Sequence, residues 1–491
     1  MVATKVVPPG TVIFRELPAV VFPNLASNSL WMVCRGCCRE IGVFGVAPFV
    51  QCSDCGLPLC KSECDFDGTH RDECELLQRA SYKFSKREVG SLNVAAFTGL
   101  AILRILRWAE KYPVTAKTLY KLAPRSHGMK QELNDAMWSS SRDWVVEKLG
   151  LDISEEKLKQ AFRVANLATV NLPTSNAPKM GPFKIMGAMV VYAGRSMVSH
   201  GCITNVYFTR LEEDVMETVL VSSRELKAGE VLVMDHNARW FKSADYRRTW
   251  ASEHGVPCPL CADPATLGLH LDSWTCTRKG CRGLVVPLRG ADSPDEGGRC
   301  QSCGLGMSAE EMESAAWEAR RALEALEEAG SLMKASTGER KGAPSLRQWE
   351  RFLHRYERPR GPLHPMHWIA LRAKKELIFT VAGCLGNMNR DHNTEELVRW
   401  EGAFRDVLRA LDVLAPGYNN MRTNINMQLV KLLCIRLMHL HKDGLRGRKL
   451  QVLYDEATSV LKDIKKLPRT VELQEEYAAM EFICETVTTL L

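Results

Sequence analysis

From Ser308 onward apolar residues recur at three- and four-residue intervals, with Met312, Ala315, Ala316, Ala319, Leu323 and Leu326 on one helical face. Ser308-x-x-Glu311 ahead of them has the form of a capping box, and Gly330 predicts the end of the helix. Similar periodicity predicts helices at 346–356, 366–383, 394–413, 422–442, 449–465 and 470–489, with a polar, glycine-containing loop at 334–345. Stacked antiparallel, they would form a solenoid. The N-terminal half reads differently. Residues 2–13 alternate short apolar runs about Pro8-Pro9-Gly10, as in paired strands joined by a tight connection, and 283–287 is strand-like. The most apolar run, 94–103, stops at Arg104 and has about half of the ~20 residues a membrane helix requires. It predicts a buried core helix, and the whole chain reads as α+β.

At 491 residues the chain predicts about three folded units of about 150 residues each. Its 45% apolar and 25% charged residues exclude wholesale disorder and fibrous repeats. A net charge of +7 does not by itself imply a nucleic-acid partner. Pro8 and Pro9 precede any apolar run, so neither a secretory signal nor a membrane partner is expected, and the expected location is cytoplasmic, nuclear or both. Reducing compartments keep thiols free, so the 18 cysteines call for another use. Fifteen precede residue 304, mostly in close pairs, whereas Cys384, Cys434 and Cys484 stand alone in helical sequence and read as core residues.

The pairs have metal-ligand spacing. Cys34-x2-Cys37, Cys52-x2-Cys55, Cys60-x3-Cys64 and His70-x3-Cys74 supply eight thiolate or imidazole ligands, enough for two tetrahedral zinc ions. Little apolar periodicity lies between them, so metal must supply much of the folding free energy there. Residues 34–74 carry four basic residues (Arg35, Arg39, Lys61, Arg71) against seven acidic ones, which argues against direct nucleic-acid binding. Further on, Cys276-x4-Cys281 and Cys300-x2-Cys303, separated by a hairpin-sized loop, read as a zinc ribbon.

Over 34–74 the spacing resembles a MYND zinc finger at all eight positions. That resemblance implies one ion on Cys34, Cys37, Cys60 and Cys64 and another on Cys52, Cys55, His70 and Cys74, leaving Cys38 over. It also implies peptide recognition as the finger's role. Residues 2–13, 192–206 and 224–236 resemble parts of a SET domain, so the chain is similar to the SMYD family, in which the finger interrupts the SET fold. Ala265-Thr266-Leu267-Gly268 and His364-Pro365-Met366-His367 resemble arthropod-type members. The implied fold is a split SET β-fold interrupted by the finger and followed by an all-α tetratricopeptide-like domain, including the linker Pro416-Gly417-Tyr418. Its implied parts are 1–33 (SET), 34–74 (finger), 75–180 (helical insertion), 181–255 (SET core), 256–305 (post-SET and zinc ribbon) and 306–491 (helical domain).

Family enzymes are implied to transfer a methyl group from S-adenosylmethionine to a protein lysine. The family's Asn-His-Ser-Cys-x-Pro-Asn is here Ser199-His200-Gly201-Cys202-Ile203-Thr204-Asn205. The resemblance implies cofactor contacts from Ser199, His200 and Asn205, and from Asn171 after a preceding helix. Ser199 replaces an amide with a single hydroxyl, which should lower cofactor affinity. His236 occupies the catalytic Tyr position and lacks the phenol's reach. The family's Gly-x-Gly cofactor loop should precede Val2, where the chain begins. Of the post-SET triad Cys-x-Cys-x2-Cys, Val256 replaces the first member, so Cys202, Cys258 and Cys261 supply three ligands, with His254 or water available as a fourth. The expected function is a methyltransferase-like protein with a degraded site, acting in transcriptional or chromatin regulation through protein binding by the finger and helical domain. A catalytically inactive zinc-dependent scaffold is the alternative.

Overall fold

The computed structural model describes residues 1–23, 31–36, 40–43, 50–61, 64, 69–90, 94–122, 131–167, 169–173, 179–180, 183–184, 186–211, 217–235, 241–243, 246–248, 258–288, 297–331, 344–357, 361–385, 393–444 and 448–465. They form a mixed α/β chain that divides into two compact units. One comprises Met1–Phe14, Ser199–Glu212 and Val219–Leu491; the other comprises Arg15–Val198 and Glu213–Thr218.

In the first unit, the β-branched strand Thr218–Ser222 is fully buried between Val12–Glu16 and Val206–Thr209. Val206 faces Ser222 and Thr209 faces Val219 in antiparallel register. Beside this sheet, Ser199–His200 runs parallel to Val233–Met234. Residues 2 and 7 form isolated bridges to Val231 and Leu226, and Val12–Glu16 pairs with Thr218–Ser222, so the runs on either side of Pro8-Pro9-Gly10 pair with later segments and not with each other as the alternation predicts. Farther along, Trp274–Thr275, Leu284–Pro287, Gly298–Cys300 and Gly306–Met307 make a four-stranded antiparallel meander.

Helices Ala309–Ser331, Leu346–Tyr356, Trp368–Leu385, Thr394–Leu414, Asn420–Lys442 and Arg448–Ile464 follow, and from Leu346 onward each packs on its successor. The expected helix at 470–489 lies outside the described residues. Ser308 and Glu311 cap the first helix reciprocally: Ser308 N–H donates to Glu311 (2.7 Å) and Glu311 N–H to Ser308 Oγ (3.1 Å). Pro416-Gly417-Tyr418 leads into the fifth helix and fastens onto Ser223. Tyr418 N–H donates to the Ser223 carbonyl (2.7 Å), and Ser223 Oγ donates to the Pro416 carbonyl (3.0 Å). Gly417 has φ +82°, and a Cβ there would lie 2.0 Å from the Ser223 oxygen, so only glycine fits.

In the second unit, Met186–Val191 runs between Val20–Pro23 and Thr169–Pro173 in an antiparallel sheet. The apolar run does form a buried helix, but the helix extends through Arg104 to Lys111. Arg104 is buried because its charge is matched. Nε and Nη2 donate to Glu73 (2.5 and 2.8 Å), and the guanidinium also donates to the carbonyls of Val21 (2.6 Å) and Arg35 (2.9 Å). Arg35 stacks its own guanidinium over Phe97 on the same helix, 4.1 Å from the ring centre. No helix among the described residues is long and apolar enough to cross a membrane.

A second buried charge sits among the later helices. Lys374 Nζ donates to Glu357 (2.8 Å), Asp406 (2.7 Å) and the Pro365 carbonyl (3.0 Å) with its side chain 4% exposed. Replacing it would take the buried cation from Glu357 and leave Asp406 with Arg409, and breaking a buried ion pair from one side costs about 3–5 kcal/mol. Lys374→Met is therefore expected to lower the denaturant midpoint of the helical region markedly, whereas Lys375→Met, which removes a more exposed lysine, should leave it nearly unchanged.

Candidate metal centres

Two turns of the chain are built alike. In Cys52-Ser53-Asp54-Cys55-Gly56, the Cys52 N–H donates to the Leu57 carbonyl (2.9 Å) and the Gly56 N–H to the Cys52 carbonyl (3.0 Å). In Cys300-Gln301-Ser302-Cys303-Gly304, the Cys300 N–H donates to the Leu305 carbonyl (2.8 Å) and the Gly304 N–H to the Cys300 carbonyl (3.0 Å). Both glycines adopt left-handed backbone, φ +75° and +72°. Each turn brings two sulfurs into one cluster of donors, which is what chelation from a short loop requires.

Each pair meets a second pair. Thr69–Arg79 is helical, so His70 and Cys74, four residues apart, share one face. Cys55 Sγ lies 3.5 Å from His70 Nε2, and Cys52 Sγ lies 3.7 Å from Cys74 Sγ. On the four-stranded sheet, Cys276 Sγ and Cys303 Sγ are 3.6 Å apart, and Cys281 Sγ and Cys300 Sγ 3.7 Å. A disulfide would need about 2.05 Å. Zinc bound tetrahedrally at about 2.3 Å from sulfur and 2.0–2.1 Å from nitrogen needs sulfur–sulfur edges of about 3.8 Å and sulfur–nitrogen edges of about 3.5 Å. The observed separations match those edges, so the donors fit zinc in chemistry and in size.

Two smaller sets have the same character. Cys34, Cys60 and Cys64 lie together, as do Cys202, Cys258 and Cys261, all ligand atoms in each set being within 4.8 Å of one another. Cys37 and Cys38 lie outside the described residues, as do His254, Val256 and Cys484. Cys34 sits in the backbone frame of the neighbouring hairpin, with the Arg35 N–H donating to the Pro58 carbonyl (2.9 Å). These four clusters could hold zinc. Without an ion, burial pushes the Cys55 thiol up, whereas the Leu305 N–H holds Cys303 down at about 6. Cys434 is buried, as expected for a core residue, and Cys384 is half-buried.

Around Cys202, the motif residues Ser199 and His200 are half-buried on the parallel pair with Val233–Met234. Gly201 replaces a serine, and a Cβ there would lie 2.5 Å from Val233 Cγ1. Asn205 is buried and its amide is occupied. Nδ2 donates to Glu230 Oε1 (2.9 Å) and to the Val231 carbonyl (2.8 Å), and Oδ1 accepts from the Val233 N–H (2.7 Å). Asn205 thus ties the motif to the returning strand, a role that residue type and spacing did not reveal. Asn171 lies on the Thr169–Pro173 strand opposite Met189. His236 lies outside the described residues.

Glu230 completes this knot. The Arg224 guanidinium, 2.5 Å away, together with the Lys227 N–H and Asn205, holds its carboxyl at about 2. A depressed folded-state pKa stabilises above the ordinary value of about 4.3, and that stabilisation is lost as pH falls toward the folded value. Glu230→Gln should therefore destabilise the chain at neutral pH, on the order of 1 kcal/mol after solvent screening. In paired melting curves the difference should shrink from about pH 4 downward. For the metal clusters, Cys55→Ser should remove one zinc per chain by elemental mass spectrometry and expose Cys52 and Cys74 to alkylation.

No family model matches the sequence. The chain is 26% identical over 306 residues to isoform B of SET domain-containing protein SmydA-8 from Drosophila melanogaster, covering 61% of this chain and 63% of that protein. Isoform A is 22% identical over 306 residues, covering 61% of this chain and 62% of the relative. The match thus spans just under two thirds of the length of these relatives. Sequence identity of this extent makes the chain a homologue of SmydA-8 and supports its membership of the SMYD family.

Proposed function

We propose that this chain is a zinc-stabilised SET and MYND protein with a weakened methyltransferase site, which acts in transcriptional or chromatin regulation mainly by binding other proteins. The division is the one implied by resemblance: a SET fold in 1–33 and 181–255, a finger at 34–74, a helical insertion at 75–180, a zinc-bearing region at 256–305 and a tetratricopeptide-like domain at 306–491. The finger and the helical domain are the peptide-binding surfaces. A protein lysine is the substrate class of the residual activity.

The observation that carries this reading is the contrast around residue 205. The frame is intact, since Asn205, Glu230 and Val233 are locked together and Cys202 is clustered with Cys258 and Cys261. The groups that would face a cofactor have been reduced. Ser199 offers one hydroxyl where an amide both donates and accepts, and both Asn205 N–H donors are already engaged. We assign Asn205 to the frame and leave Ser199 and His200, with Asn171, as the candidate cofactor contacts. S-adenosylmethionine would supply the methyl group. The protein's own task would be to desolvate the lysine amine and orient it, and His236 would donate one hydrogen bond where a phenol is usual. The helical linker supports the frame directly, because Thr204 N–H donates to the Leu414 carbonyl (3.2 Å) and Tyr418 is bonded to Ser223.

Isothermal titration of zinc-loaded protein with S-adenosylmethionine tests the proposal. Affinity weaker than about 1 µM is expected, and tighter binding would overturn the weakened site. Ser199→Asn combined with His236→Tyr should raise affinity by about tenfold, equivalent to about 1.4 kcal/mol. A wild-type rate of lysine methylation equal to that of the double variant would also contradict the proposal.

A further inference from the structure

We propose that two copies of this chain associate reversibly through the helices Ala309–Ser331 and Leu346–Tyr356, the acidic face of each copy lying across the arginine face of the other. Leu346–Tyr356 turns its apolar side inward, with Trp349, Phe352 and Tyr356 buried. Its opposite side carries Arg347, Arg351 and Arg355, all exposed. Their four-residue spacing keeps them on one face in steps of about 6 Å. Ala309–Ser331 likewise buries Ala316, Ala319 and Leu323. Its outward side carries Glu310, Trp317, Glu324 and Glu328 with one cation, Arg321, whose guanidinium lies 4.6 Å from the Trp317 ring centre. Trp317 is 52% exposed in mid-helix, and tryptophan is the residue type that most often anchors an interface.

The two faces border one surface. Glu318 and Arg355, on their adjoining flanks, pair at 2.7 Å with side chains 60% and 68% exposed. Glu324, Glu328, Arg347 and Arg351 have no ion-pair partner among the described residues, and Arg351 Nε donates to the Arg347 carbonyl (3.2 Å). A partner of one charge sign would satisfy one of these helices and be repelled by the other. A second copy satisfies both.

Register supports the same occupant. Arg320 lies over Trp368, and Glu327 pairs with Arg372, so Ala309–Ser331 and Trp368–Leu385 run in the same direction. Leu346–Tyr356, between them in sequence, returns antiparallel. Counted from the Glu318–Arg355 pair at about 1.5 Å per residue, Glu324 and Glu328 stand about 9 and 15 Å along the surface, and Arg351 and Arg347 about 6 and 12 Å in the same direction. A two-fold axis parallel to the helices preserves these heights. It sets Glu324 and Glu328 of one copy opposite Arg351 and Arg347 of the other, within about 3 Å along the axis and within reach of both long side chains. The symmetry makes each pair twice, and it brings Trp317 of each copy to the height of Arg355 of the other, where a guanidinium can meet the ring. Exposed ion pairs are individually weak and are screened by salt, so the association is reversible and salt-sensitive. Nothing in this contact depends on a methyl donor.

Sedimentation equilibrium of the full, zinc-loaded chain at low ionic strength tests the proposal. The weight-average mass should climb from one chain toward two with concentration, and about 0.5 M salt should raise the dissociation constant at least about tenfold. Arg347→Glu with Arg351→Glu, and separately Glu324→Arg with Glu328→Arg, should each weaken self-association by about tenfold or more, because like charges then face each other. Circular dichroism should be unchanged, since all four side chains are exposed. Mixed one to one, the two double variants should associate again, each supplying the charge that the other lacks, a repair that misfolding of either would not permit. Trp317→Ala should weaken the wild-type dimer by about tenfold. A wild type that stays monomeric up to its solubility limit would overturn the proposal. So would a dimer that survives in both double variants, or two monomeric variants that stay monomeric when mixed.

Discussion

Sulfur held 3.5–3.7 Å from sulfur or nitrogen, and not bonded to it, is the constraint on which this architecture depends. Thiols at that spacing gain little from one another, and as thiolates they repel. A divalent cation at the centre would convert the repulsion into attraction. The segments that carry these donors have short strands, two-residue ladders and tight turns, and beside them Leu57, Leu59 and Trp274 are buried in the apolar core.

The segment that carries Cys52, Cys55, His70 and Cys74 is nevertheless not an isolated bead. Glu73 lies between His70 and Cys74 on the ligand helix, and Arg35 directly follows Cys34. Arg104 reaches both, by an ion pair to Glu73 and a hydrogen bond to the Arg35 carbonyl. Burying that guanidinium would be costly alone, but with a bidentate carboxylate and two carbonyls it has partners for its desolvated N–H groups. A bound metal would fix the local turns, and the arginine fixes how those segments sit on the apolar helix Val94–Lys111.

Much of this was legible in sequence because its signals are local. Cysteine pairs two or three residues apart, the capping box at Ser308 and Glu311, and the apolar periods of the later helices all concern neighbours within one or two turns. The left-out pieces involve distant partners. Arg104 reads as the polar end of an apolar run until Glu73, 31 residues earlier, is placed beside it. Asn205 reads as a ligand-facing amide until Val231 and Val233 return along the motif. Lys374, likewise, has partners 17 and 32 residues away on either side. No periodicity announces a buried charge, because the signal is carried by the partner's position and not by the residue's own neighbours.

The same distinction bears on which substitutions around residue 205 would disturb the fold. The interactions that hold Cys202 to Asn205 in place are backbone ladders, an occupied amide and thiols aimed at a common centre, and none of them requires a cofactor. Substituting Ser199 therefore alters a side chain on the parallel pair without removing one of these ties. Substituting Asn205 or Cys202 would do the reverse.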